Sequence, residues 1–145
     1  MNSKNTLFKN LIIVDANFIL IPVQFKIDYL EYINSILEGG TRFIVFRQVF
    51  DELEAKKRRD SKAIKFIKHL ESGITYLECN KEKYDIIVEN QVKKPDETTD
   101  QFLLRKAREL KSENLNIFLA SNDKALRKEA REANLGTIFL RQKKY

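Results

Sequence analysis

The chain has 145 residues, of which 43% are apolar and 33% are charged, a size and composition typical of one water-soluble domain with a single core. No apolar run is long enough to span a membrane, because Asp15 and Asn17 interrupt the most apolar segment. The 27 Lys and Arg against 21 Asp and Glu give a net charge of +6, which favours a polyanionic partner. The N-terminus lacks the pattern of a secretory signal and Cys79 is the single cysteine, so we expect a cytoplasmic protein without an internal disulfide.

Short apolar runs alternate with helical patterns along the chain. The apolar runs occupy residues 11–14, 43–46, 74–77, 117–120 and 137–140 and predict five strands. Helices are predicted over residues 27–37, from 49 into the basic stretch 56–59, and over 63–70, 84–88, 100–110 and 123–134, with Gly39, Gly73 and Gly136 as stops and Thr98 or Thr99 as a cap. The alternation predicts a three-layer α/β/α fold with a central, mostly parallel five-stranded sheet, built as one domain over residues 1–145.

Four acidic residues lie where an apolar run ends or a helix begins: Asp15, Glu52, Asp100 and Asp123. In open α/β sheets, ligands bind outside the carboxyl ends of the strands, so we expect these side chains to meet at that edge. Crowded carboxylates repel one another unless a cation lies between them. The four acids therefore predict a site for a divalent metal, and carboxylate oxygens favour Mg²⁺ or Mn²⁺.

Each acid also has a simpler interpretation. Taken singly, Asp100 or Asp123 reads as a helix cap or a partner of the helix dipole. Asp15 is harder to explain in this way, because it directly follows four aliphatic residues and its charge would be partly buried. Glu52 has acidic neighbours, but it flanks the apolar stripe of its helix better than Asp51 does.

Other polar residues give weaker signals. Asn17 and Ser121 stand beside the acids, where they either orient a carboxylate or a water molecule or serve local turn and capping roles. His69 lies on a basic helix face remote from the acids, so a zinc site or a histidine base has little support. Cys79 is predicted to be a buried structural thiol rather than a nucleophile.

A basic stretch follows Glu52 on the same segment and is predicted to track an RNA backbone; it comprises Lys56, Lys57, Arg58 and Arg59. Lys65 and Lys68, farther along, favour a solvated helix face. Further candidates, which the sequence does not rank, are Arg105, Arg108, Arg127, Arg131 and Arg141. Three aromatic residues favour the core over base stacking, namely Phe18, Phe25 and Phe46.

Short motifs recur in an order and spacing that resemble a known family. They are IVDANFIL at 13–20, VFDEL at 49–53, TDQFLL at 99–104 with Ala107, SND at 121–123 with Leu126, and IFLR at 138–141. Together they resemble the PIN-domain ribonucleases over nearly the whole chain. The segment IPVQF at 21–25 is similar to the archaeal branch related to the small-subunit processome nucleases. Two positions depart from the family, which often has a second Asp at Gln101 and Pro at Phe46.

The resemblance implies a PIN-like fold and a metal-dependent endoribonuclease, with a role in rRNA processing or ribosome biogenesis. It implies that Asp15 is the central metal ligand and that Asp123 shares one ion with it. Glu52 and Asp100 would bind a second ion or act through water. The implied partner is RNA; a homodimer, a protein partner in ribosome assembly and an antitoxin remain open.

Several other functions fit the sequence less well. A phosphohydrolase with an aspartyl nucleophile also begins with an acid after the first strand, but it requires a second Asp where this chain has Asn17. A receiver-like signalling domain requires more acid at its first strand and a matching Lys late in the fold. A toxin-type ribonuclease would keep the same fold and chemistry. A catalytically idle RNA-binding scaffold would have no use for four carboxylates.

Overall fold

The described residues form one sheet of five parallel strands, in the order β3-β2-β1-β4-β5. The computed structural model describes residues 8–22, 26–60 and 62–141. The strands are β1 (Asn10–Val14), β2 (Thr41–Phe46), β3 (Asp85–Glu89), β4 (Asn116–Ala120) and β5 (Gly136–Ile138). Helices in these ranges are α1 (Ala16–Ile19), α2 (Tyr29–Ile36), α3 (Arg47–Arg59), α4 (Ile64–Cys79), α5 (Thr99–Leu110) and α6 (Lys124–Glu132).

The helices form two groups. Helices α1, α3 and α4 contact one another, and α5 contacts α6. Connections between parallel strands are right-handed, so a chain that moves from β1 through β2 to β3 places its helices on one face. The strand order then reverses, and the β4 to β5 connection places α6 on the other face. The predicted α/β/α fold with a parallel five-stranded sheet is therefore confirmed.

The central strands lie between these helical layers. Strand β1 is buried at all five positions, because β2 and β4 flank it and helices cover it. Phe46 of β2 packs edge-to-face against Phe102 of α5, with ring centroids 5.3 Å apart. Phe18 and Phe46 are 2% and 1% exposed, so they belong to the core as predicted. Phe25 lies outside the described residues, as does most of the 21–25 segment.

The predicted strand at 74–77 is wrong, because α4 continues through these residues to Cys79. Gly73 does not end the helix. A Cβ atom at this position would lie 2.0 Å from the backbone carbonyl oxygen of Ile19, so the glycine permits close contact between α1 and α4. The residue that suggests a helix stop in the sequence serves here as a packing residue.

The third strand is β3, where the sequence instead predicts a short helix around Tyr84. This strand forms the edge of the sheet and pairs with β2 alone, so it is only partly covered and its apolar pattern is weak. Arg42 on β2 anchors it through a hydrogen-bonded ion pair of 2.9 Å between Nε and Asp85 Oδ2. Val88 on the strand is 45% exposed.

The prediction of a buried Cys79 is also wrong, because the thiol residue is exposed at the last position of α4. It lies on the solvent side of an amphipathic helix whose buried positions include Leu70 and Leu77. His69 on the same helix is partly exposed, as expected of a surface residue. None of the helices in residues 8–22, 26–60 and 62–141 is both long and apolar enough to cross a lipid bilayer.

Candidate active site

The candidate site lies where the strand order reverses. Strands β1 and β4 are neighbours, yet the chain leaves β1 for helix α1 on one face and leaves β4 for α6 on the other. This opens a crevice beyond their carboxyl ends, the usual ligand position in such sheets. Asp15 directly follows Val14, and Ser121 directly follows Ala120, which pairs with Val14 in the sheet. The register therefore brings two residues that are 106 positions apart to the same place.

Asp15 is held by three donors in a site almost closed to solvent. It is 6% exposed, and its Oδ1 accepts a hydrogen bond of 2.8 Å from the backbone N–H of Ala16 as the N-cap of α1. Its Oδ2 accepts bonds of 2.7 Å from Ser121 Oγ and 3.3 Å from Asn17 Nδ2. These bonds fix the orientation of the carboxylate.

Burial dominates the electrostatics of Asp15. Loss of hydration raises the pKa of this carboxyl, and the nearby charge of Asp123 raises it further. The hydrogen bonds from Ser121, Ala16 and Asn17 lower it, but they do not offset the burial. Asp15 is therefore an acid whose negative charge is incompletely stabilised by the protein around it.

Asn17 and Ser121 also join the two loops of the crevice. Ser121 is fully buried, and its Oγ accepts a 3.0 Å hydrogen bond from the backbone N–H of Asp123. Asn17 Oδ1 accepts a 3.0 Å bond from the backbone N–H of Asn122. Both residues thus have local structural roles as well as contact with Asp15.

Sequence reasoning assigned no role to Asn122, which stands inside the SND motif. Its Oδ1 accepts a 2.8 Å hydrogen bond from the backbone N–H of Leu140, beyond the end of β5. The side chain therefore ties the loop that carries Asp123 to the C-terminal segment. A position between two candidate site residues was the available signal, but its distant partner could not be read from the sequence.

Asp123 is an N-cap, as its simpler interpretation suggests. Its Oδ1 accepts a 3.1 Å hydrogen bond from the backbone N–H of Leu126 at the start of α6. The residue is exposed and also lines the crevice. A carboxylate accepts at both oxygens, so capping and cation binding are compatible at this residue.

Glu52 and Asp100 reach the same crevice from α3 and α5. All four acids line one cleft of about 240 Å³, so the structure brings together every acidic residue selected from the sequence. The acidic neighbours of Glu52, Asp51 and Glu54, do not line this cleft. Asp51 is exposed and lies 3.7 Å from Arg47, and Glu54 lines a different cavity.

The charges of the other three cleft acids all affect the pKa of Asp100. Partial burial raises its pKa to about 6, with further contributions from the charges of Asp15, Asp123, Glu52 and Glu129 in that order. Glu129 on α6 was missed, since nothing in the sequence separates it from other acids on that helix. The neighbouring carboxylates thus add to the effect of burial, and a cation bound among them would lower the pKa of Asp100.

The carboxyl of Glu52 is partly desolvated although the residue as a whole is exposed. Burial raises its pKa and so does the charge of Asp15, whereas Thr99, Arg59 and Lys56 lower it. Lys56 and Arg59 line the cleft themselves, and Lys56 Nζ lies 4.7 Å from the centroid of the Phe66 ring. Two members of the predicted basic stretch thus border the acids, while Lys57 and Arg58 do not line the cleft.

The donor set suits a hard divalent cation, because it consists of carboxylate oxygens with a deficit of positive charge. Its geometry is open. Among residues 8–22, 26–60 and 62–141, no three acidic, histidine or cysteine side chains converge to form a ready-made metal site. A cation bound to Asp15 would therefore have to draw Glu52 and Asp100 inward or contact them through water.

One departure from the family pattern has a structural explanation. Thr98 caps α5, with its hydroxyl accepting a 3.1 Å hydrogen bond from the backbone N–H of Gln101. Gln101 Oε1 accepts in return a 2.9 Å bond from the backbone N–H of Thr98. Gln101 thus completes a capping box that fixes the first turn of α5, where Asp100 lies.

A sequence model described as a PIN-like domain matches residues 12–143, so the chain belongs to the PIN-like domain family. The match covers both crevice loops and all four acids. No protein in the curated set matches the sequence.

The chain is also similar to solved structures. A domain of a functionally unknown protein from Methanocaldococcus jannaschii aligns over 93% of this chain and 94% of its own, with a TM-score of 0.65 and 14% identity. The PIN domain endonuclease Utp24 aligns over 91% of this chain and 86% of its own, with a TM-score of 0.62 and 20% identity. VapBC2 from Rickettsia felis, bound to a promoter DNA fragment, has a TM-score of 0.45 and 13% identity over 90% of this chain and 99% of its own.

Proposed function

We propose that this protein is a divalent-metal-dependent endoribonuclease that hydrolyses phosphodiester bonds in RNA in the cytoplasm. The observation that carries the proposal is the single cleft that Asp15, Glu52, Asp100 and Asp123 line, where burial and then the charges of the other acids raise the pKa of Asp100 to about 6. Such repulsion destabilises the protein unless a cation offsets it, which is the arrangement expected of a functional site. Membership of the PIN-like family supports the proposal.

The basic side chains explain why the substrate would be a polyanion. Lys56 and Arg59 line the same cleft as the acids, so a phosphate group that enters it meets positive charge beside the carboxylates. Their charges also lower the pKa of Glu52, although burial and the charge of Asp15 raise it overall. The 240 Å³ volume of the cleft suits a short stretch of backbone rather than a buried small molecule.

Asp15 would be the central ligand of Mg²⁺ or Mn²⁺, because three hydrogen bonds hold its carboxylate in place before any cation arrives. Asp123 would share that ion, and Glu52 and Asp100 would bind another or act through water. When bound, divalent cations supply a water molecule of lowered pKa and stabilise the leaving oxygen. Asn17 and Ser121 would keep Asp15 aligned during the reaction.

A biological role in rRNA processing or ribosome biogenesis extends this proposal. It rests on the similarity of the 21–25 segment to the processome branch and on the shared fold with Utp24, which is described as a PIN domain endonuclease. RNA cleavage itself does not depend on that role. The toxin alternative would keep the same chemistry and add an antitoxin as partner.

The central experiment compares Asp15→Asn with Asp51→Asn. Cleavage of a labelled single-stranded RNA in Mn²⁺ should fall to background in Asp15→Asn, because the fixed central ligand loses its charge. Asp51→Asn makes the same chemical change at an exposed surface position and should cleave like the wild type. Circular dichroism checks that both variants are folded.

The wild type also separates an enzyme from a scaffold. Product formation should require Mn²⁺ or Mg²⁺, whereas retention of RNA should persist in EDTA. Retention of RNA with no cleavage under either cation would leave only the scaffold function. Cleavage by Asp15→Asn at the wild-type rate would remove the site assignment.

A further inference from the structure

A stacked pair of side chains lies beside the cleft and has no part in the proposed chemistry. Arg127 of α6 places its guanidinium carbon 3.9 Å from the centroid of the Phe139 ring. That distance means that the guanidinium lies against the ring. Phe139 is nevertheless 43% exposed, one of few large apolar side chains in the described ranges that face solvent to this extent. Burial in the core therefore does not account for this aromatic residue.

The guanidinium of Arg127 has unused hydrogen-bonding capacity. Within the part of the chain that the structure describes, its side chain has no hydrogen-bond or ion-pair partner, and its Nε is buried without an acceptor. A guanidinium is always charged and carries five N–H donors in a planar fork. By contrast, Arg105 on α5 binds Glu97 and Glu109 at 2.7 and 3.0 Å. Of these two arginines, Arg127 is the one that has no carboxylate partner among the described residues, so its guanidinium can bind an external acceptor.

The pair is attached to the catalytic edge of the sheet. Phe139 directly follows β5, and Leu140 beyond it donates to Asn122 in the loop that carries Asp123. Ser121, the partner of Asp15, donates its backbone N–H to Ile138 at 2.9 Å. Two strand spacings separate β1 from β5, so the end of β5, which Phe139 follows, lies roughly 10 Å along the sheet edge from the end of β1, which Asp15 follows.

This position is on the opposite side of Asp15 and Asp123 from the basic residues of α3. The order of elements along the carboxyl edge is β2 with α3, then β1, then β4, then β5. Lys56 and Arg59 come from α3 beside β2, whereas Phe139 follows β5 and Arg127 comes from α6 before it. A strand of RNA that touches both would pass over Asp15 and Asp123.

We propose that Arg127 and Phe139 form a binding platform for single-stranded RNA on the far side of the cleft. Phe139 would stack on an unpaired base and Arg127 would hold a neighbouring phosphate. The inference rests on the proposed ribonuclease function and adds to it a binding surface outside the cleft. Base stacking on an aromatic side chain requires an unpaired base, so a duplex would not use the platform.

Affinity in EDTA tests the platform without cleavage. Fluorescence anisotropy is measured with a labelled single-stranded oligoribonucleotide, with the same length of duplex, and with a strand that lacks its bases. Phe139→Leu should weaken binding of the normal single strand by about tenfold and leave the other two ligands unaffected, since only the stacked base is lost. Phe139→Tyr retains a ring and should bind like the wild type.

Arginine variants give the matched comparison. Arg127→Gln should weaken binding of both the normal strand and the strand without bases by about tenfold, because a phosphate contact is lost in each. Arg131→Gln removes the same charge from an exposed position one turn along α6 and should have a much smaller effect. Thermal unfolding of each variant checks that the fold is retained.

These measurements distinguish failure of the platform from failure of the proposed ribonuclease function. Unchanged affinity in Phe139→Leu and Arg127→Gln, with Mn²⁺-dependent cleavage intact in the wild type, would overturn the platform and leave the proposed function standing. A wild type that neither binds nor cleaves RNA would remove both. If Phe139→Leu instead changes the molecular mass in light scattering while RNA affinity stays constant, the exposed ring belongs to a protein interface and the platform is wrong.

Discussion

Asp15 accepts three hydrogen bonds, and yet its pKa lies above that of an ordinary aspartate. Donors orient a carboxylate, but they do not replace the hydration that burial removes. The charge of Asp15 therefore remains incompletely stabilised. This charge also raises the pKa of Glu52 and of Asp100. The negative charges of Asp15, Glu52 and Asp100 therefore lower the stability of the folded protein.

The raised pKa of Asp100 makes the stability of the cation-free protein depend on pH. Asp100 has a pKa of about 6 in the folded protein against an ordinary 3.8, so the folded state holds its proton more tightly than the unfolded chain does. The free energy of unfolding in EDTA should therefore decrease as pH rises from about 4 to about 6. Asp15 and Glu52, whose pKa values are also raised, act in the same direction.

Urea denaturation at several pH values in EDTA measures this effect. Asp100→Asn should be more stable than the wild type at pH 7 and should lose part of the pH dependence, whereas Asp96→Asn, an exposed acid outside the cleft, should follow the wild type. The hydrogen-bonded ion pair with Arg105 lowers the pKa of Glu97 to about 2, so Glu97 acts in the opposite direction: its stabilising contribution decreases as pH falls below the ordinary value of 4.5. The comparison with Asp100→Asn isolates the effect of Asp100, and an Asp100→Asn variant with the same pH dependence as the wild type would contradict the assignment.

The secondary-structure elements place these residues through close contacts as well as strand register. Helix α1 has four residues and is too short to be stable alone, so its position depends on its neighbours. Gly73 of α4 permits the contact, because a side chain there would meet the carbonyl oxygen of Ile19. Asn17, which binds Asp15, is carried on this short helix. Packing between α1 and α4 therefore affects the alignment of the site.

Gly73→Ala tests this connection. The added methyl would lie 2.0 Å from Ile19 O, so α1 and α4 must separate, and overpacking of this kind costs about 1–3 kcal/mol of unfolding free energy. Alanine is a better helix former than glycine by about 1 kcal/mol, so helix propensity alone would stabilise the variant. A net loss of stability would therefore come from the contact with Ile19. We also expect slower RNA cleavage, because Asn17 would be displaced.

Thr75→Ala is the control for this helix. Thr75 is exposed on α4 two residues farther on, and its replacement should change stability by no more than about 0.5 kcal/mol. Urea denaturation compares the two variants under the same conditions. Equal stability of Gly73→Ala and the wild type would show that the helices adjust without cost.

On the scale of the whole molecule, a basic protein surrounds an acidic cleft. In the proposed function, the net charge of +6 would attract RNA over a distance, and the four carboxylates would repel it at the point of contact unless cations intervene. Divalent cations should therefore improve local contact with the phosphate backbone, whereas monovalent salt should weaken the overall attraction.

Salt dependence of RNA affinity measures the second effect. The logarithm of the binding constant should fall linearly with the logarithm of salt concentration, with a slope of about −0.7 for each phosphate contact on a single strand. Replacing both Lys56 and Arg59 by Gln should reduce the magnitude of the slope by about 1.4. The matched double variant at Lys57 and Arg58, which lie outside the cleft lining, should change it less. A flat response in the wild type would remove the basic surface from the proposal.

Local patterns were sufficient for several features of the fold. The buried strand β1 followed at once by Asp15, a helix cap at Thr98 or Thr99 and the alternation of strands with helices can all be predicted from the sequence, and the structure selects Thr98 as the cap. Each depends on residues within one or two turns of each other, so neighbouring positions carry the information. The same holds for the choice of the four acids, which rested on their positions at element ends.

Other features required the folded chain, because they depend on residues that are distant in sequence. Gly73 reads as a helix stop until Ile19 is seen against it, and the edge strand β3 lacks the apolar pattern of a strand covered on both sides. The bond between Ser121 and Asp15 follows from the register of β1 with β4. Likewise, among the candidate arginines only tertiary contacts distinguish Arg127, which meets an exposed ring, from Arg105, which is held by two glutamates. Periodicity determines which face of an element is buried, whereas the partner on that face is set by packing across the sheet.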